Sequence, residues 1–222
     1  QTAIKTNEKI DNNPDETQLI NATKISGKTK KGLGIGFFNA ITANTHATLW
    51  DTVTGKKRDV LTEPISNYNM IVLDQSLKNN SYVSLFNTNV ARKGEYPTAN
   101  VTGTQFRFLD NSKIYALQGN LTFSQKYNIN IKNEIGSKYY LEASKVSGNF
   151  KYSFLYYVET ENFDPNDMGF NSRNNELIYK TEFEYAIYEP VGKIIESYNK
   201  LQIEHSSLYA PRKFTDLEID IN

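Results

Sequence analysis

The sequence predicts an all-β chain: an antiparallel up-and-down transmembrane β-barrel, present in part, with about eleven strands of a larger wall. Three observations predict it. Apolar and polar residues alternate with period two in one segment after another, the pattern of strands with one wet face and one apolar face. Several of these segments persist for about 10 residues, the length a tilted strand needs to cross hydrocarbon, whereas soluble strands average about 5 to 6. The connections between them alternate short and long, which in a meander puts every short turn on one rim and every long loop on the other.

Five strands are clear. The first sets Leu33, Ile35, Phe37 and Ile41 against Gly34, Gly36, Ala40 and Thr42. In the second, Tyr115, Leu117, Leu121 and Phe123 alternate with Ala116, Gln118, Asn120, Thr122 and Ser124. The third opposes Phe150, Tyr152, Phe154, Tyr156 and Val158 to Lys151, Ser153 and Glu159, with Leu155 and Tyr157 interrupting the polar side. The fourth places Leu177, Tyr179, Phe183, Tyr185 and Ile187 opposite Glu176, Lys180, Glu182 and Glu184. The last alternates Leu217, Ile219 and Ile221 with Asp216, Glu218 and Asp220. Weaker candidates lie at 17–28, 67–77, 82–91, 99–109, 138–146 and 194–205, and no segment has helical periodicity.

Short connections are expected at 30–32, 78–81, 110–113, 147–149 and 189–193, and long ones at 44–66, 92–98, 127–136, 163–175 and 207–213. A Greek-key sandwich, with its crossovers, has no reason to produce that alternation. An odd strand number near eleven implies an incomplete wall, because bacterial single-chain barrels are even-stranded and an open edge cannot face lipid. Residues 1–16 read as an amino-terminal lead-in and 17–222 as the barrel portion.

Composition excludes several classes. Lys plus Arg and Asp plus Glu are 25 each, so no net field draws nucleic acid or an acidic surface. With no cysteine there is no disulfide scaffold, thiol nucleophile or thiolate metal site, which is compatible with export through an oxidising periplasm. No stretch approaches the ~20 consecutive apolar residues of a transmembrane helix, and no amino-terminal segment has the pattern of a signal peptide. The mean hydropathy of -0.58 is compatible with a barrel, whose strands alternate.

Chemistry has little to work with. The two histidines, His46 and His205, cannot supply a site needing several imidazoles. Asp164, Asn166, Asp167 and Gly169 in FDPNDMGF have part of a calcium loop's composition but lack its spacing and closing glutamate, and they read as a turn. Gly32, Gly34 and Gly36 in KGLGIGF do not follow a phosphate-loop spacing and instead smooth one strand face. Glu176, Glu182 and Glu184 with Lys180 read as a solvated face, and Lys56, Lys57 and Arg58 as a loop tip able to meet anionic lipopolysaccharide. Tyrosines near strand ends, among them Tyr68, Tyr82, Tyr115, Tyr139 and Tyr140, suggest the aromatic girdles of a barrel. Candidate extracellular-loop contacts are His46, Trp50, Asp164, Asn166 and Asp167, with Trp50 the best single candidate.

The segments TQLINATKISGKTKKGLGIGFFNAIT (17–42) and NYNMIVLDQSLKNNSYVSLFNTNV (67–90), with NDMGF at 166–170, carry a resemblance. They resemble the carboxy-terminal outer-membrane β-barrel domain, of unknown function, in large bacterial proteins that begin with a family-nine-like carbohydrate-binding domain. The resemblance spans most of the chain and is strongest before Lys126. It implies a gram-negative outer-membrane location and a parent protein much longer than this chain, and it supplies no catalytic residues. The expectation is a non-enzymatic barrel segment with no cofactor, serving surface anchoring or display, transport, or docking. Its partners are outer-membrane lipid and lipopolysaccharide, with other outer-membrane proteins or surface glycans as further candidates and no nucleic acid. The alternative is a secreted soluble β-domain that binds glycans through surface tyrosines and Trp50.

Overall fold

Alternation of the kind seen in Leu33–Thr42 can bury or solvate only one face at a time, so such segments settle as neighbouring strands of a sheet. The computed structural model describes residues 4–127 and 132–222. Its strands, in chain order, are β1 (Glu8–Asn12), β2 (Leu19–Lys28), β3 (Leu33–Thr42), β4 (Thr45–Asp51), β5 (Lys57–Glu63), β6 (Ser66–Ser76) and β7 (Tyr82–Arg92). They continue with β8 (Thr98–Leu109), β9 (Tyr115–Tyr127), β10 (Glu134–Lys145), β11 (Phe150–Glu159), β12 (Glu176–Ile187), β13 (Ser197–Leu208) and β14 (Phe214–Ile221). The fold is all-β and antiparallel, and its only helical piece among the described residues is the 3-10 turn Lys78–Asn80.

Eleven strands form one sheet in the order β14-β13-β12-β11-β10-β9-β8-β7-β6-β3-β2, a meander interrupted only where β4 and β5 leave it. Each of the eleven corresponds to a strand expected from the alternation. Among the described residues the sheet is not closed: β2 and β14 are its edges, and every residue of both is exposed.

The register separates two faces. One row runs Ile35, Leu73, Leu85, Thr104, Leu121, Tyr139, Val158 and Leu177, each opposite the next on the neighbouring strand. The row one residue over runs Gly36, Val72, Phe86, Gly103, Thr122, Lys138, Glu159 and Glu176. The first row starts near the short-turn end of β3 and finishes near the long-loop end of β12, so the strands are progressively staggered. Closely packed rings cover two glycines in this wall: a Cβ at Gly103 would lie 2.4 Å from Phe86, and one at Gly119 would lie 2.8 Å from Phe106.

The first face is apolar and open along most of its extent, with Val158 and Leu177 covered at one end. Leu85 is 53% exposed, Ile135 61% and Phe154 49%, and Ile71, Leu117, Leu141 and Ile219 are exposed with them. Toward the long-loop ends of β3, β6, β7 and β8 this face changes character and carries amides. Asn39 donates to Asn67 at 2.6 Å and to Asn69 at 2.8 Å, and Asn87 donates to Asn100 at 2.9 Å. Asn100 in turn reaches Gln125 at 2.6 Å.

Several expectations need correction. The 44–66 connection is not an irregular loop: β4 and β5 form a hairpin there, and β1, from the lead-in segment, pairs with β4 to complete a three-stranded sheet. These strands are 5 to 7 residues long with mixed patterns, below what alternation can resolve. The strict alternation of connection lengths also fails. The 93–97 link is as short as the 110–114 turn, and the turn placed at 189–193 occupies 188–196. Of the long connection placed at 127–136, residues 128–131 lie outside the described residues. The tyrosine girdle divides: Tyr115 and Tyr139 lie on the apolar face, whereas Tyr68, Tyr82 and Tyr140 lie in register with Val90, Arg107 and Asn120 on the other.

Candidate functional site

Charged side chains collect on the second face of the sheet, and cross-strand register pairs them. Lys151 lies 2.8 Å from Glu184, Lys200 2.8 Å from Glu182 and Lys180 3.6 Å from Glu204. The Glu182, Glu184 and Lys180 expected on one solvated face are therefore each matched by a partner on an adjacent strand. Each of these carboxylates already has a cation on the neighbouring strand, and the ladder has the make-up of a polar wall.

Onto this face folds the connection between β11 and β12, residues 160–175. Its path is set first by Gly136 on β10: a Cβ there would lie 2.2 Å from the backbone nitrogen of Phe163. Only glycine leaves room for the backbone to cross the strand this closely. Phe163 is 4% exposed beneath the crossing, and the Asp164 backbone N–H donates to the Ser124 hydroxyl on β9 at 2.9 Å. The segment reaches further, to β7, where the Arg92 guanidinium lies 2.7 Å from the Asp167 carboxylate. Lys126 on β9 lies 3.5 Å from Asp164 and 3.6 Å from Asp167. At the root of the segment, Glu159 accepts from Tyr157 at 2.5 Å and from the Asn171 side chain, with Lys138 3.2 Å away.

Asn166 tightens the turn, donating its backbone N–H to Asp164 Oδ1 at 3.0 Å and accepting from the Asn171 N–H at 2.6 Å. Burial pushes the Asp164 carboxyl up, but the Asn166 N–H and the Lys126 ammonium outweigh it and hold the group below its usual range. Asp164 and Asp167 are thus committed to cations of the wall. Among the described residues no group of three or more acidic, histidine or cysteine side chains is arranged to hold a metal ion.

The other expected contacts lie elsewhere. His46 and Trp50 share the exposed side of β4, and the Trp50 ring, 40% exposed, lies opposite Lys9 and Lys57 on the two flanking strands. Lys57 pairs with Asp11 at 2.7 Å. On the reverse side, Arg58 grips Glu8 through Nε at 2.6 Å and Nη2 at 2.7 Å. His205 sits on the apolar face beside the rings of Tyr179 and Phe214. The structure therefore brings Asp164, Asn166 and Asp167 together and leaves His46 and Trp50 as a separate surface.

Arg92, Lys126 and Gly136 escaped the sequence reading. Arg92 and Gly136 read as ends of the connections at 92–98 and 127–136 and Lys126 as the residue just before one, and no local signal tied any of them to a segment dozens of residues away.

The family model for a domain of unknown function, DUF5916, matches the chain over residues 1–222. No curated protein and no solved structure matches it.

Proposed function

The chain belongs to the DUF5916 family of domains of unknown function, and from that premise we propose that it is a section of the wall of a bacterial outer-membrane β-barrel. The observation that carries this reading is the open apolar face of the eleven-stranded sheet, set against a polar face with paired charges. A contiguous apolar surface of this extent needs a cover, and lipid supplies one along the whole sheet. Strand lengths support the reading, since β8 to β10 run 12 to 13 residues. The progressive stagger of the register is what a tilted barrel wall requires. In lipid the edges β2 and β14 must find backbone partners, so the complete barrel contains more than these eleven strands or joins the two edges directly.

On this reading the polar face lines the lumen, the rim with the three-stranded sheet and the 160–175 segment faces outward, and lipopolysaccharide surrounds the outer leaflet. The role is anchoring or display, transport, or docking in a gram-negative outer membrane, within a larger parent that carries a carbohydrate-binding part. It is not an enzyme on this proposal. The test is the migration of the full-length protein in detergent gels with and without heating. A heat-dependent shift, with the protein in the outer-membrane fraction, supports the reading; recovery from the soluble fraction overturns it.

Trp50 favours a second reading, a glycan contact made by the three-stranded sheet, because an exposed indole offers a stacking face for a sugar ring. It is the only tryptophan of the chain, so its fluorescence reports directly on a polysaccharide titration. An unchanged spectrum at saturating glycan argues against it.

A further inference from the structure

The 160–175 segment does not project from its rim. It turns back across the polar face, over Gly136 on β10 and past Ser124 and Lys126 on β9, and ends its reach at Arg92 on β7. It thereby spans the strands from β12 to β7. A surface loop with no function in this position would leave its polar backbone in water. Here specific wall groups receive it instead: the missing side chain of Gly136, the Ser124 hydroxyl, and the cations of Arg92 and Lys126.

We propose that this segment is the constriction of a passage along the polar face, and that Asp167, held between Arg92 and Lys126, is the residue that sets its position. The inference rests on the barrel reading and goes further, to what the lumen passes. Two cations, Arg92 and Lys126, face two carboxylates, Asp164 and Asp167, at the narrowing, and the neighbouring wall charges are paired across strands. Matched charges present little net field to a solute, so the passage suits uncharged hydrophilic molecules such as sugars more than ions of one sign. Beside the segment, a cleft of about 550 Å³ remains open between Arg173, Glu176, Glu204, Ser206 and Asp216. That volume is enough for a small polar solute.

Asp167 is a positioning residue: its removal frees the end of the segment and leaves the Arg92 and Lys126 charges less compensated. The experiment uses the full-length protein from outer membranes, reconstituted in planar bilayers and in liposomes swollen by neutral sugars of increasing size. Asp167→Asn is expected to raise single-channel conductance, to admit larger sugars, and to move the reversal potential toward anion preference. These 222 residues contain no cysteine, so Ser124→Cys with Asp164→Cys, in a full-length protein with any cysteine elsewhere replaced, provides a clamp between β9 and the segment. Oxidising that pair in the Asp167→Asn background is expected to return conductance toward the parent value, and reduction to restore the increase. A membrane-inserted Asp167→Asn protein with unchanged conductance, sugar cut-off and reversal potential overturns the constriction while leaving the barrel reading intact. Failure of the parent protein to enter membranes at all overturns both.

Discussion

Arg58 on β5 and Glu8 on β1 are joined by a two-pronged ion pair that reaches across the intervening strand β4, over Leu49. On the opposite side of the same strand, Lys57 and Asp11 make a second bridge. The small sheet is therefore tied from both faces, which compensates for strands too short to hold one another by backbone pairing alone. The fork encloses Glu8, whose side chain is only 5% exposed, and Leu49 is 3% exposed beneath it.

That arrangement makes a pH prediction. The Arg58 guanidinium, helped by the Lys5 backbone N–H, holds the Glu8 carboxyl at about 2, below its usual 4.5. A depressed carboxyl stabilises the folded state fully above its unfolded value and ceases to do so as pH falls through the folded one. Glu8→Gln is accordingly expected to loosen the three-stranded sheet at pH 7, with the difference from the parent protein narrowing below about pH 4.5 and gone near pH 2. Hydrogen exchange of residues 45–63 across that pH range measures it, and a constant difference would contradict the assignment.

Gly136→Val tests the crossing of the 160–175 segment. A side chain at that position meets the backbone of Asn162 and Phe163, which cannot yield as a flexible side chain does. Overpacking of this kind costs about 1 to 3 kcal/mol. The expected result is a segment displaced from the wall, read as new protease cleavage within 160–175 while the sheet keeps its spectrum. Gly27→Val, where a Cβ meets nothing within 4 Å, is the control.

Opposite faces of β9 should respond unequally to charge. Leu121→Lys puts an ammonium on the apolar face and, if that face meets lipid near the bilayer midplane, destabilises the folded barrel by about 2 to 4 kcal/mol. Gln118→Lys, on the polar face opposite Glu142, is expected to be close to neutral. Unfolding midpoints in lipid vesicles separate the two, and equal effects would argue that the apolar face does not meet lipid.

The amide network predicts a smaller effect. Asn39 bridges β3 to Asn67 and Asn69 on β6, and Asn39→Ala removes both side-chain bonds together with a longer one to the Tyr68 carbonyl. At about 0.5 to 1.5 kcal/mol net for each of the two shorter bonds, the loss is roughly 1 to 3 kcal/mol. A denaturant titration that leaves the midpoint unmoved would show that water replaces these bonds without cost.

What the sequence determined by itself is the set of eleven strands of the large sheet and, in the five clearest of them, the face each residue takes. Period-two alternation is a local property, and Tyr115, Leu117, Leu121 and Phe123 carry it without reference to any partner strand. Only the tertiary structure decided the rest. β1, β4 and β5 are short, and Glu8 finds Asp51 only across the length of β2 and β3, a non-local pairing that no window of sequence contains.

 The register places Glu8 opposite Asp51 all the same, and the Arg58 fork then locks it. The 160–175 segment read as an outward loop because its Asp, Asn, Pro and Gly composition describes a turn and says nothing of direction. Its direction comes from Arg92, Lys126 and the bare backbone of Gly136, which fold brings to one place and sequence keeps dozens of residues apart. Hydropathy is written residue by residue, but ion pairs and close backbone contacts depend on distance in space, and that distance exists only once the sheet has formed.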